Sequence, residues 1–172
     1  MIDRLVRLTR GALPMGLVLM VAAPAGAQRA VVVVRHAERA DAGMSATPDP
    51  LLSAAGLARA DRLATLLADA GVTAVFATEY KRTVGTVEPL ARRLGLLVQQ
   101  VPARDTPALV ARIRASGPDD VVVVAGHSNT VPDILSALGV TEAVTIGDDE
   151  YDDVFIVVPR GSGPPALLRL KY

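Results

Sequence analysis

Two uninterrupted runs of mainly β-branched residues, Ala30–Val34 and Val121–Val124, constrain this chain most. Successive side chains of a strand point to opposite faces, so a run with no polar member must be covered on both sides. Strands of that kind lie inside a largely parallel sheet with helices packed on each face. Val72–Ala77 and Leu96–Val101 are weaker strand candidates. The stretches between them carry helical patterns. Ser53 is placed to cap a helix whose Leu57, Leu63, Leu66, Leu67 and Ala70 form an apolar stripe and whose end falls at Gly71. A second helix is predicted over Lys81–Leu94, stopping at Gly95 and kinked or broken at Pro89. A third begins at Asp105 or Thr106, takes Pro107 into its first turn and stops before Gly117-Pro118. A short fourth follows Pro132 and ends at Gly139. Val154–Val158 and Ala166–Leu170 flank the turn-rich Pro159–Pro165 segment and read as a final hairpin or adjacent pair of strands. There is no internal repeat, low-complexity tract or linker, so the pattern predicts one α/β domain: a three-layer sandwich with a mostly parallel central sheet flanked by helices.

Composition narrows the function classes. The chain has 172 residues, 51% of them hydrophobic, with 18 basic against 18 acidic side chains and 3% aromatics. Nucleic-acid binding needs clustered cations and stacking faces, and neither is present. There is no Cys, which excludes a disulfide scaffold, a Cys-ligated zinc site and a thiol nucleophile together. Residues 1–27 have the organisation of an export signal: Arg4, Arg7 and Arg10, then an uncharged apolar stretch from Gly11, then the small-residue pattern Ala25-Gly26-Ala27. The apolar stretch is short for a membrane span and contains Pro14 and Pro24. Cleavage after Ala27 is therefore expected, leaving a periplasmic or secreted domain over residues 28–172 with no membrane attachment, most simply a monomer.

The only two histidines, His36 and His127, fall just past the two buried strands. Ligands of an open parallel sheet bind outside the carboxyl ends of its strands, so the two rings are placed to meet in one pocket. One of them follows Arg35, a side chain that is costly to bury without an anionic partner. A lone histidine beside an apolar strand is more often structural, but two at matching positions point to a site. Arg82 and Lys81 open the second helix, where free backbone N–H groups attract anions. Taken alone, these cations and Arg92-Arg93 read as solvated helix faces. Ser128 and Asn129 are candidates for hydrogen bonds to a bound anion, with Asn129 and Thr130 equally suited to capping the fourth helix.

These stretches resemble the histidine phosphatase superfamily, which includes the phosphoglycerate mutases. Arg35-His36-Ala37-Glu38 resembles its Arg-His-Gly signature with Ala in place of Gly, Thr78–Thr86 its second motif, and Gly126-His127-Ser128-Asn129 the segment of its second His. The resemblance implies a metal-independent phosphomonoesterase that needs no cofactor. His36 would be the nucleophile forming a phosphohistidine, with Arg35, Arg82 and His127 binding the charged oxygens of the transferring group. Glu79 is the first candidate for general acid, and Asp105 and Glu38 are alternatives; Glu38 is equally placed to hold Arg35 or a helix terminus. The substrate would be a small phosphorylated compound or a phosphoprotein. A phosphohistidine-protein phosphatase and a catalytically idle phosphate-binding module are the alternative readings. The acidic run Asp148, Asp149, Glu150, Asp152 and Asp153 lacks the spacing of a calcium loop and reads as a solvated loop. If it borders the pocket, it would repel polyanions and favour zwitterionic or cationic phosphoesters.

Overall fold

The computed structural model describes residues 29–40 and 48–172, so the signal-like segment 1–27 lies outside the described residues. The elements run β1 (Ala30–Arg35), α1 (Ala54–Leu66), β2 (Val72–Ala77), α2 (Lys81–Leu94), β3 (Val98–Gln100), α3 (Thr106–Arg114), β4 (Val121–Gly126), α4 (Thr130–Ala137), β5 (Asp153–Val158) and β6 (Ala166–Lys171). Six strands form one sheet in the order β3-β2-β4-β1-β5-β6. The first four are parallel, and β5 and β6 extend the sheet antiparallel, as the final hairpin.

The unbroken valine runs occupy the sheet centre for the expected reason. Val31, Val33, Val122 and Val124 pack on one face with Leu109 and Ile113 of α3 and Val131, Ile134 and Leu135 of α4. Val32, Val34, Val121 and Val123 pack on the other with Leu63 of α1 and Val87 and Leu90 of α2. Adjacent residues thus serve opposite cores, and the three layers follow directly.

Several local expectations change. Ser53 caps α1, its side chain accepting from Gly56 N, but the helix closes at Leu67 and not at Gly71. Of the apolar stripe, Leu63 and Leu67 are buried, whereas Leu57 and Leu66 face outward. The weak third strand shrinks to three residues because it is an edge that pairs with β2 alone, and Leu97 is exposed beside it. Pro89 sits within an α2 that continues to Leu94. The carbonyl that Pro89 cannot serve is that of Gly85, and both residues line an open surface groove that water can enter. Gly95 then ends α2 in the left-handed region at φ 68°, which costs a residue without Cβ nothing.

Candidate active site

Strand register brings the histidines together. In the parallel β1–β4 pair Arg35 lies opposite Gly126, and His36 N donates to Gly126 O at 2.8 Å. His36 and His127 are the next residues on each strand, so neighbouring strands carry the two rings side by side. Their centroids are 5.3 Å apart with the planes at 67°. Both rings border a hollow of about 760 Å³ at the carboxyl end of the sheet, together with Arg35, Arg82, Ser128 and Asn129.

The ring nitrogens have defined roles. His36 Nδ1 lies 2.8 Å from Ala37 O. A carbonyl only accepts, so Nδ1 carries the hydrogen and Nε2 keeps its lone pair. His127 Nδ1 lies 3.4 Å from Arg82 Nη2, which only donates, so that nitrogen accepts and Nε2–H donates to Thr78 Oγ1 at 3.0 Å. Thr78 passes the chain on to Thr83 Oγ1 at 2.7 Å, and Thr83 donates to Tyr80 O at 2.7 Å. Burial lowers the His36 pKa to about 4, with His127, Arg82 and Arg35 adding to the effect and the Ala37 hydrogen bond opposing it. Burial, then Arg82, lowers His127 to about 4 as well. Both rings are therefore neutral at pH 7.

A stability consequence follows. The unfolded imidazoles titrate near 6.5, so between about pH 6.5 and 4 the unfolded chain binds more protons than the folded one. Stability is expected to fall as pH drops through that window, by on the order of 1–3 kcal/mol for each imidazole. Urea unfolding at pH 7, 5.5 and 4.5 measures it. The same slope in a His36→Gln/His127→Gln variant would remove the imidazoles as its source.

The cations are held from behind. Arg35 Nη1 donates to Gly147 O at 2.7 Å and Glu150 O at 3.0 Å, and its guanidinium lies 4.0 Å from the Tyr151 ring centroid. Arg35 Nε is buried with no partner. Arg82, in the first turn of α2, stacks on Tyr80 at 4.4 Å and lies 3.8 Å from Asp49. Asp49 also accepts from Lys81 N, so the first amide of α2 is already occupied and Arg82 acts through its side chain. All three tyrosines of the chain lie against an arginine, the third being Tyr172 beside Arg59.

The carboxylates separate. Glu38 borders the hollow, but Arg59 Nε and Nη2 hold both its oxygens at 2.7–3.0 Å, which keeps its carboxyl below the usual range. Glu38 thus holds Arg59 of α1, while its backbone carbonyl accepts from Ser53 N; it does not hold Arg35. Glu79 is exposed, accepts from Ala103 N at 2.7 Å, and lines the apolar groove beside Leu52 and Pro89. Asp105 caps α3 by accepting from Ala108 N and borders a separate small crevice. Neither borders the hollow of the two histidines. Asn129 is the first flanking residue of α4 but its side chain makes no capping bond, and Thr130 Oγ1 instead accepts from His127 N. Among the described residues, no group of three His, Asp or Glu is placed to hold a metal ion.

Sequence reasoning missed Tyr151, Arg39, Ser53 and Thr78. The first three line the hollow, and Thr78 fixes the tautomer of His127. Only Thr78, a buried hydroxyl, carried a local signal: it is the first residue past β2, as His36 and His127 are the first past β1 and β4.

Residues 31–105 match the family model of the histidine phosphatase superfamily, branch 1. No curated protein matches the chain by sequence. Among solved structures, the fold is similar to that of the mycobacterial glucosyl-3-phosphoglycerate phosphatase, at 17% identity and TM-score 0.65 over 84% of this chain and 98% of that one. The protein histidine phosphatase SixA complexed with tungstate is similar at 17% identity and TM-score 0.65, over 83% of this chain and 96% of that one. A protein from Agrobacterium tumefaciens assigned as phosphohistidine phosphatase SixA is similar at 19% identity and TM-score 0.61, over 81% and 97%. The family match takes in the first histidine and the Arg82 helix, and the similarity of fold to these solved structures continues through the second histidine.

Proposed function

We propose that this domain is a phosphomonoesterase working through a phosphohistidine on His36. The observation that carries the reading is the unprotonated Nε2 of His36 in a hollow shared with Arg35, Arg82 and His127. Nε2 attacks phosphorus in line with the ester oxygen, the N–P bond forms and the P–O bond to the alcohol breaks. The guanidinium groups of Arg35 and Arg82 take up the charge on the equatorial oxygens. A bound phosphate dianion next to His127 favours its protonation at Nδ1, turning an acceptor from Arg82 into a further donor. Glu38 is tied to Arg59, and Glu79 and Asp105 stand outside the hollow, so we assign the alcohol's proton to a water molecule at the open mouth. The hydroxide so produced attacks phosphorus, the N–P bond breaks, and phosphate leaves with His36 restored. The export-signal pattern of residues 1–27 supports the same reaction outside the cytoplasm.

Incubation with a labelled phosphomonoester, quenched rapidly and resolved under denaturing conditions, tests the reading. An acid-labile, base-stable phosphoprotein is expected, and turnover unchanged by EDTA. Phosphate or vanadate binding without turnover on any phosphomonoester would overturn it in favour of a binding module.

A further inference from the structure

The acidic run between β4 and β6 divides into two sets of carboxylates. Glu150 lies 3.9 Å from Arg169, Asp152 lies 2.8 Å from Lys171, and Asp153 lies 2.7 Å from Arg169 and 3.0 Å from Lys171. Strand β6 therefore sets its two cations, Arg169 and Lys171, against those three. Asp148 and Asp149 are exposed, pair with no cation among the described residues, and line the hollow that holds His36 and His127. Two free carboxylates beside a site built for a phosphate dianion oppose binding of the phosphate itself.

Their position is set by the site. Asp148 and Asp149 form the tip of a tight turn closed by Glu150 N donating to Gly147 O at 3.1 Å and Gly147 N donating to the Glu150 side chain at 2.8 Å. Both ends of that turn, Gly147 O and Glu150 O, accept from Arg35. Arg35 is 7% exposed and His36 6%, and Arg35 Nε is buried without a partner. One guanidinium thus joins the phosphoryl site to the acidic tip. On the other side, Arg39 is the remaining cation at the rim, and Glu38 is neutralised by Arg59.

Resting on the phosphatase reading above, we infer that the hollow takes phosphomonoesters of cationic alcohols, phosphorylated amino alcohols and their quaternary ammonium relatives, with Asp148 and Asp149 as the counter-charge for the cation. A charge at the far end of the alcohol falls beside the turn tip while its phosphoryl group lies between Arg35, Arg82 and the histidines. An ammonium there removes the repulsion between the two aspartates, whereas a carboxylate or second phosphate adds to it.

The test compares kcat/KM for three esters of similar size: O-phosphoethanolamine, ethyl phosphate and phosphoglycolate. The ammonium ester is expected to lead and the carboxylate ester to trail, each step about tenfold at low ionic strength. Asp148→Asn/Asp149→Asn is expected to lower kcat/KM for phosphoethanolamine and raise it for phosphoglycolate, and opposite signs are not what general damage to the loop produces. Turnover that depends on His36 but ranks the esters equally, or in reverse, overturns this inference and leaves the phosphatase reading intact. A spread that survives the double substitution overturns the assignment to these aspartates. Absence of turnover with all three esters while p-nitrophenyl phosphate is still hydrolysed overturns this inference alone, and absence of turnover and phosphoenzyme with p-nitrophenyl phosphate as well overturns the reading beneath it.

Discussion

His36→Ala is expected to fold as the parent does and to lose phosphomonoester turnover by about 10⁴-fold or more, the scale on which removal of a covalent nucleophile acts. The ring opens onto the hollow on one side, so its removal enlarges a space that water already enters. The backbone of residue 36 stays fixed by its bond to Gly126 O, and Ala37 N still donates to Thr86 Oγ1 at 2.9 Å. Phosphate binding is expected to persist through Arg35 and Arg82, so the loss falls on kcat. Steady-state assays with p-nitrophenyl phosphate, alongside a thermal melt, measure both. A kcat within tenfold of the parent's would take His36 out of the reaction.

Gly56→Ala is expected to destabilise the domain by about 3 kcal/mol, against the normal gain of roughly 1 kcal/mol for replacing a helical glycine with alanine. Gly56 is the third residue of α1, and a Cβ there would run into the backbone carbonyl oxygen of Glu38. Neither side has room to yield. That carbonyl accepts from Ser53 N at 2.9 Å, and Arg39 bridges Leu52 on the adjoining strand-like segment. Separating α1 from this segment would also displace Ser53, Glu38 and Arg39, which rim the hollow, so activity is expected to fall with stability. Denaturant titration checks the first effect. A change below about 0.5 kcal/mol, the range of neutral surface substitutions, would mean that α1 slides freely past Glu38.

How much was legible from the chain alone depends on how local the cause is. The valine runs named β1 and β4 because an unbroken apolar strand has only one kind of environment available to it. Ser53, Gly95 and Asp105 marked helix ends because capping is settled within one turn. His36, His127 and Arg82 were recognisable because strand ends and helix starts fix where such residues project. The carboxylates were not. Glu79 and Asp105 stand at strand and helix ends, like the residues of the hollow, yet one oxygen of each is taken, by Ala103 N and Ala108 N, and they border other surfaces. Tyr151 and the Asp148–Asp149 tip are held at the hollow through Arg35, 112 residues before Gly147 and 115 before Glu150.

The layered α/β sheet, and the side of it on which two imidazoles and two guanidiniums gather, follow from the order of residues alone, because side-chain alternation and capping are short-range and leave few alternatives. Long-range packing settled which nitrogen of each ring is free, which carboxylates pair with the cations of β6, and which two line the hollow unpaired. Those outcomes depend on contacts between segments far apart in the chain, whose meeting follows from strand register and turn geometry and leaves no periodic mark in the residues themselves.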